Sequence, residues 1–432
     1  MVAENLKILI VSNNCLSTSN SNGRTIFNLV SNLKDDQVAN FYVYDELPDC
    51  EGFTNFYRVR DVDALKAFTS FKKVGQRICD KKTINSSLEP AIEKKEKNTK
   101  NFKNPLGSIG REIVWKTPRW RTDEFKAWID EFDPNVVLLQ AGDAPFLFRI
   151  ARKISKKRKI PLFIHNCEDY YFKKYNYMSK KHGCFYPLFR HLLKKEVKKS
   201  IKHSTVCIYN SDQLKEAYES KIKHRAITLM NSSSFDVSSK RKIEQIKKIV
   251  YLGNLGLGRL HSLIEIGQVL NEYDLKLHIY GPADQETEKN IAEHHFLKYE
   301  GLVSYERVRE IILESDLVVH AESFDEYMIK DLKHALSTKI SDYLSSGTPF
   351  FMYAPKGLVS TTYLYDKIPD FVATNKVDLV LKLNDIIDGD VQYPFLEIVK
   401  PLVDKNHSLT NNQIQFDKLL IDSIKEEKNR EK

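Results

Sequence analysis

Hydrophobic residues along this chain fall into short, nearly unbroken runs, separated by stretches of helical period or by polar segments. In the first half the runs are 7–12 (KILIVS), 41–44 (FYVY), 135–140 (NVVLLQ), 162–164 (LFI) and 205–209 (TVCIY). The second half repeats the theme at 248–252 (KIVYL), 275–280 (LKLHIY), 316–319 (DLVV) and 349–353 (PFFMY). Near-continuous apolar strands alternating with helices predict parallel sheets covered on both faces. The expected fold class is therefore α/β, with two doubly wound Rossmann-like domains facing a central cleft, since ligands of such sheets bind beyond the carboxyl ends of the strands. Residues 231–242 (NSSSFDVSSKRK) have little to bury and read as a linker. The expected division is 1–230 for the first domain, 231–245 for the linker, 246–395 for the second domain and 396–432 for a C-terminal helical segment. Within that last segment Phe416, Leu420 and Ile424 are spaced four apart with Leu419 beside them, as in a helix that packs back across the domain boundary. Residues 80–104 are polar and read as a flexible insertion.

Composition narrows the class. With 42% hydrophobic and 29% charged residues over 432 positions, the chain has ample material for a core and is neither fibrous nor largely disordered. No apolar run approaches the ~18–20 residues that span a bilayer. The first apolar stretch runs straight into Ser12, Asn13 and Asn14 rather than into a secretory pattern, so a cytoplasmic location is expected. Six scattered cysteines argue for reduced thiols, not for zinc or a disulfide framework.

Charge is uneven. The formal net charge is +9, yet 149–202 alone holds 17 lysines and arginines against Glu168, Asp169 and Glu196. A basic block beside a mildly acidic body points to an anionic partner. Phe146, Phe148, Phe185, Tyr186, Phe189, Leu192 and Leu193 are interleaved with the cations, as in an interfacial surface. Peripheral contact with an anionic membrane, at the inner face of the cell membrane, is therefore one expectation, and a pyrophosphate-bearing acceptor is another. A pair of solvated helix faces is the plain alternative. No nucleic-acid motif accompanies the block, and no nucleic-acid partner is expected.

Candidate chemistry sits after strands. Gly23, between Asn22 and Arg24, follows the first strand and opens a helix whose N–H groups could meet an anion. In the second half Gly253, Gly256 and Gly258 form a loop that ends on Arg259, with Asn254 inside it. Such a loop can wrap a phosphate, with Arg259 as a forked cation. The spacing GxxGxG differs from the GxGxxG of dinucleotide binders, which disfavours a dehydrogenase. Residues 337–349 (STKISDYLSSGTP) predict a short helix, capped by Ser337 or Thr338 and ended by Gly347. Lys339, Asp342 and Tyr343 then share one face. N–H groups near Ser337 and Thr338 suit a diphosphate, and Asp342 suits two vicinal hydroxyls. His165 ends a strand just before Glu168 and Asp169, where it could orient a sugar hydroxyl or share a proton. Two Asp-x-Asp spacings read otherwise than as metal sites: Asp61 and Asp63 as helix caps, Asp388 to Asp390 as a turn.

With these residues in view, the chain resembles nucleotide-sugar glycosyltransferases of the GT-B fold, in the retaining family four sense. The segments YLGNLGLGR, LKLHIYGP, LKYEGLVSYERVREIILESDLVVHAE and STKISDYLSSGTPFFMYAP carry the likeness, over nearly the whole chain and most specifically from 249 to 355. SNNCLSTSNSNGRTIFNL and FIHNCEDYYFKKY resemble segments of bacterial enzymes that build capsular and other surface polysaccharides. The resemblance implies that Gly23 approaches the donor phosphates and that His165 touches the transferred sugar. It gives Arg259 one place of a basic pair that neutralises the diphosphate, with Asn254 where an arginine is common. Tyr299 to Val303 falls on the stretch whose backbone reads the base. Of the family's two glutamates seven residues apart, the second maps onto Asp342, which keeps the ribose role as a shorter acid. The first maps onto His334, and its recognition of sugar hydroxyls does not transfer. Glu322 and Asp325 are loop acids open to that role or to a plain surface position.

The expected reaction is transfer of a hexose or N-acetylhexosamine from a nucleoside diphosphate, UDP by the family's habit, to a lipid-linked or glycan acceptor with retention. Arg259, Lys339 and the N–H groups near Ser337 would stabilise the departing diphosphate, so no metal or other cofactor is expected. The resemblance leaves deprotonation of the acceptor to the diphosphate itself. Arg24, Glu168 and Asp169 are acceptor-side candidates, the two acids as outside candidates for a base. Two alternatives stay open: a nucleotide-sugar epimerase on the same fold, and a catalytically silent partner that only binds.

Overall fold

A computed structural model describes residues 6–78, 105–173, 185–235, 245–389 and 395–431. The expected insertion at 80–104, residues 236–244 of the expected linker, Asp390 and residues 174–184 of the basic block lie outside the described residues. The chain divides into two units, one of residues 1–229 with 412–432 and one of residues 230–411.

Unit 1 is built on eight strands: β1 (Ile8–Ser12), β2 (Val38–Tyr42), β3 (Phe56–Arg58), β4 (Gln76–Ile78), β5 (Val136–Gln140), β6 (Leu162–Asn166), β7 (Val206–Tyr209) and β8 (Ala226–Thr228). Their order across the sheet is β4-β3-β2-β1-β5-β6-β7-β8. All neighbours are parallel except β3 and β4. Ile8 of β1 stands opposite both Val38 of β2 and Val136 of β5, so the chain's first strand is central. It is buried at every position, as its unbroken apolar pattern requires.

The interleaved aromatics of the basic block are core, which corrects the interfacial expectation. Phe146, Phe148, Tyr186, Phe189 and Leu193 are buried, whereas Phe185 is exposed. Helices Pro145–Arg158 and Phe185–Ile201 turn their apolar stripes into the core of unit 1. The helical period sends most of the lysines outward, so the plain reading of solvated helix faces accounts for most of the block.

Unit 2 holds β9 (Ile249–Leu252), β10 (Leu277–Tyr280), β11 (Leu297–Gly301), β12 (Leu317–Ala321), β13 (Phe350–Tyr353) and β14 (Val372–Ala373). Their order is β11-β10-β9-β12-β13-β14, all parallel. Numbered from one, this is the 3-2-1-4-5-6 order of a doubly wound sheet, and strand order reverses between β9 and β12. The start of the expected linker belongs to this unit. Met230 and Phe235 lie in its core, and Ser233 pairs with Ser408.

The C-terminal segment is likewise divided. Helix Phe395–Asn406 lies in unit 2, whereas most of helix Leu409–Glu431 lies in unit 1. Phe416 and Leu420 are fully buried there, and the Phe416 ring meets Phe163 edge to face at 6.4 Å. Gln413 Nε2 donates to Asn28 O and Ser31 Oγ, both at 2.8 Å. The last helix is thus part of the first unit's core. Phe416→Ala is expected to cost about 3–5 kcal/mol, read as a lowered denaturation midpoint in urea.

Candidate functional site

The ends of β9 and β12 lie side by side at the reversal of strand order in unit 2, and the groups with the most chemistry gather there. After β9 the loop 253–258 leads into helix Arg259–Asn271. Gly258 takes the helix cap in the left-handed region at φ 73°, and a Cβ there would meet Ser323 Oγ at 2.6 Å. Only glycine fits both conditions. Asn254 is exposed and holds the loop, its Oδ1 accepting from Gly256 N at 2.7 Å and its carbonyl from Tyr251 OH at 2.9 Å. Its side chain shapes the turn where the family's arginine would supply charge.

Arg259 does not face outward as a spare cation. Its Nε and NH2 donate to Glu322 at 2.9 and 3.1 Å, and NH1 donates to Asn254 O at 3.3 Å. Glu322 directly follows β12 and is 5% exposed, so the surface reading of this acid is overturned. His320 Nε2 lies 3.1 Å from Glu322 Oε1. Burial opposes the charge on Glu322, but His320 and Arg259 outweigh it and hold the carboxyl well below its ordinary range. Burial likewise opposes the charge on Arg259, and Glu322 raises its pKa above the ordinary value all the same. Burial keeps the His320 pKa below normal, so the ring is neutral at pH 7 with its proton directed at Glu322.

Lys339 is the cation left over. It opens helix Lys339–Ser346 and places Nζ 5.7 Å from the centre of the Tyr251 ring. A Cβ on Gly253 would lie 1.8 Å from that nitrogen, so the ammonium rests against bare loop backbone. Among the described residues no acid pairs with it. Burial first, and Arg259 second, push its pKa down to about 8. Two cations and one carboxylate therefore share this end of the sheet, and the site carries net positive charge at pH 7.

The rest of the predicted helix follows expectation in outline and differs in its contacts. Tyr343 OH donates to Leu252 O at 2.9 Å and ties the helix to the end of β9. Gly347 ends the helix at φ 72°. Thr338 is the cap position but its side chain makes no capping bond, and the Ser337 N–H donates to Ser360 Oγ at 3.2 Å. Asp342 is buried, with Ser233 Oγ donating to one oxygen at 2.7 Å and Tyr305 OH to the other at 3.3 Å. Its carboxylate already meets two hydroxyls, both supplied by the chain. Asp325 caps helix Glu326–Leu332 through Tyr327 N and Met328 N. His334 is half-buried. Val303 packs half-buried on the core beside β11, next to an exposed Leu302.

Unit 1 presents its own candidates. Gly23 lies inside helix Ser21–Val30, where a Cβ would meet Cys15 O at 2.4 Å. The loop at Cys15 to Ser17 packs so closely on this helix that a side chain at position 23 has no room. Arg24 is half-buried in the same helix. His165 is the penultimate residue of β6, is 2% exposed, and is pushed down to a pKa of about 4 by burial. Its Nδ1 lies 3.2 Å from Cys167 Sγ, and among the described residues no acid pairs with it. Asp169 is buried, and its Oδ1 accepts from Tyr171 N and Phe172 N at 2.9 and 2.6 Å, which gives it a structural part in the turn. Glu168 is exposed and lies 3.5 Å from Lys173. Asp63 does bond Arg60 N at 3.1 Å at the start of helix Asp61–Ser70. Asp61 instead accepts from Arg111 and Trp115.

Comparison with known proteins rests on the fold. The sequence matches no protein-family model, and no curated protein matches it at a significant level. Solved structures do. Alr3699/HepE of Anabaena, in complex with UDP and glucose, superposes with a TM-score of 0.60 at 11% identity, covering 96% of this chain and 99% of that one. A UDP-forming α,α-trehalose-phosphate synthase from Burkholderia xenovorans, in complex with glucose-6-phosphate, gives 0.59 at 8% identity over 96% and 100%. A glycosyltransferase from Rickettsia africae gives 0.59 at 11% identity over 98% and 99%. The chain thus has the GT-B fold, two doubly wound α/β domains, over its full length.

Glu322→Gln leaves Arg259 buried without a counter-charge and is expected to cost about 3–5 kcal/mol, measured by urea denaturation at pH 7. The contribution has a definite pH sign. A carboxyl whose folded pKa is depressed stabilises above its unfolded pKa and loses that stabilisation as pH falls through the folded one. Between pH 4.5 and 2.5 the wild type is therefore expected to lose stability more steeply than Glu322→Gln.

Proposed function

We propose that this chain is a nucleotide-sugar glycosyltransferase that binds the donor's diphosphate at the β9–β12 reversal of unit 2. The observation that carries the reading is Lys339, an ammonium against glycine backbone with no acid for a partner. A diphosphate would bring the missing negative charge and would restore the lysine's ordinary basicity. Arg259, clamped by Glu322, acts as a fixed donor whose geometry needs no reorganisation, and Lys339 takes up the charge that develops as the diphosphate leaves. The fold shared with proteins solved with UDP supports UDP as the nucleotide, and a hexose or N-acetylhexosamine as the sugar.

Retention, a lipid-linked or glycan acceptor, and a role in surface polysaccharide synthesis follow from the resemblance of the sequence motifs. No metal enters this reading. The sugar contact that the resemblance assigns to His165 would be made by a neutral imidazole, a hydrogen-bonding group and not a proton carrier at pH 7. An epimerase needs acids and bases around the sugar ring, and Asp169 is committed to its own turn. No helix of the described residues is long and apolar enough to cross a membrane, and peripheral membrane contact remains part of the proposal.

A silent, binding-only partner is the second reading. The observation on its side is Asp342, whose two oxygens accept from Ser233 and Tyr305 where a ribose would need them. Thermal stabilisation by UDP without added metal separates the two, since binding at about 100 times the dissociation constant adds roughly 2.7 kcal/mol. The transferase reading expects a shift with UDP that is lost in Lys339→Met, together with turnover of a UDP-sugar. Absence of any nucleotide shift would sink it.

A pH titration adds an independent check. Lys339 is charged below about pH 8. UDP affinity is expected to be level below that value and to fall above it by up to about tenfold per unit, a fall absent in Lys339→Arg.

A further inference from the structure

Between helices Pro105–Lys116, Asp123–Phe132 and Pro145–Arg158 of unit 1 lies a cavity of about 360 Å³. That volume is in the range of small-molecule sites. Its floor is apolar and includes Trp115, Trp120, Phe125, Ile150 and Ile154. The cavity stands off the strand-end crevice where a doubly wound sheet takes its substrates. Its third wall is the part of helix Pro145–Arg158 beyond Arg149, which runs back from the carboxyl end of β5.

The rim is cationic beyond what local acids can neutralise. Arg149 pairs with Glu112, Arg158 with Asp130 and Asp133, and Lys126 with Asp123. Lys116, Arg121, Lys153 and Lys157 also line the cavity and make no close ion pair among the described residues, Glu112 and Glu196 acting on Lys116 and Lys153 only from a distance. Arg121 lies over the Trp120 ring at 5.9 Å. Lys153 is held below its ordinary pKa, by burial and then by Arg121, Arg149 and Arg152. The crowding is therefore felt at the mouth itself.

An apolar floor under unneutralised cations matches a molecule that carries both an apolar chain and an anionic head. Inorganic phosphate would leave the tryptophan floor wet, and a neutral hydrophobe would leave the cations unmatched. We propose that this cavity binds an acidic phospholipid of a membrane leaflet, with one acyl chain over Trp115 and Trp120 and the phosphate at Arg121 and Lys153. The site is separate from the donor site and does not depend on the transferase reading. It also replaces the broad interfacial surface expected from the sequence with one pocket.

Tryptophan fluorescence tests it directly. Of the three tryptophans, two floor the cavity, and Trp128 is buried elsewhere with its Nε1 donating to Asn55 Oδ1 at 2.6 Å. The full chain is titrated with vesicles of phosphatidylglycerol or phosphatidylcholine, each with brominated acyl chains that quench on contact. Saturable quenching by the phosphatidylglycerol vesicles alone is expected, weakened about thirtyfold in Arg121→Glu and in Lys153→Glu, since each reversal changes the charge by two units at ~1 kcal/mol per surface cation. Lys153→Gln serves where a reversed charge lowers the melting temperature. Stabilisation by UDP should be unchanged in all three, which keeps this outcome apart from the donor site's. Sedimentation with phosphatidylglycerol vesicles without quenching would overturn the proposal in favour of a surface charge contact. Equal quenching by phosphatidylcholine, or unaltered binding in the variants, would also overturn it.

Discussion

One buried ion pair organises the second unit of this molecule. Arg259 opens the helix after β9 and Glu322 follows β12, so their bidentate contact joins the two strand ends at which sheet order reverses. Such a pair adds little net stability over an apolar replacement, because taking both charges from water costs about what their attraction returns. What it supplies is position. With the helix start fixed, the loop 253–258 must close between two set points, which explains the left-handed glycine at 258 and the side chain of Asn254 folded onto its own backbone. The same pair engages Glu322, the acid whose charge acts on Lys339, and among the described residues leaves that ammonium without an ion pair.

Unit 1 works by a different economy of charge. Three groups near its strand ends are engaged from within: Asp169 by two backbone N–H groups, His165 by a neighbouring thiol, and Gly23 by close packing on Cys15. Burial keeps His165 neutral. Cations are concentrated instead on the outer faces of its helices. There the amphipathic period separates them from the aromatic residues that lie beside them in sequence.

Most strands at the centre of both sheets were legible, because a strand buried on both faces must be apolar at every position. The strands that escaped were at the sheet edges or, for β3, one place in. β3, β4, β8 and β14 are two or three residues long, and β11 (LKYEG) is only partly buried, so neither carries a continuous apolar run. The glycine loop, Arg259, Lys339 and Asp342 were also legible, since loop chemistry after a strand is local. Their partners were not. Glu322 is 63 residues from Arg259, and Ser233 is 109 residues from Asp342. A signal for Glu322 did exist: the 3-2-1-4 strand order of a doubly wound sheet places the residues after its first and fourth strands side by side. Nothing comparable pointed from a serine-rich stretch to a carboxylate in a later helix.

The return of residues 412–432 to the first unit has a consequence for how the chain is made. Translation delivers Leu6 to Leu229 early, yet the apolar surface that Phe416 and Leu420 cover stays open until nearly all of the remaining chain has been synthesised. Residues 230–411 emerge as an uninterrupted block and can complete their own core while that surface waits. At ~5–20 residues per second, the wait lasts on the order of ten seconds or more. During that time the nascent chain carries the uncovered apolar surface that Phe416 and Leu420 later close. The order of maturation is thus the reverse of the order of sequence, with the second unit complete before the first.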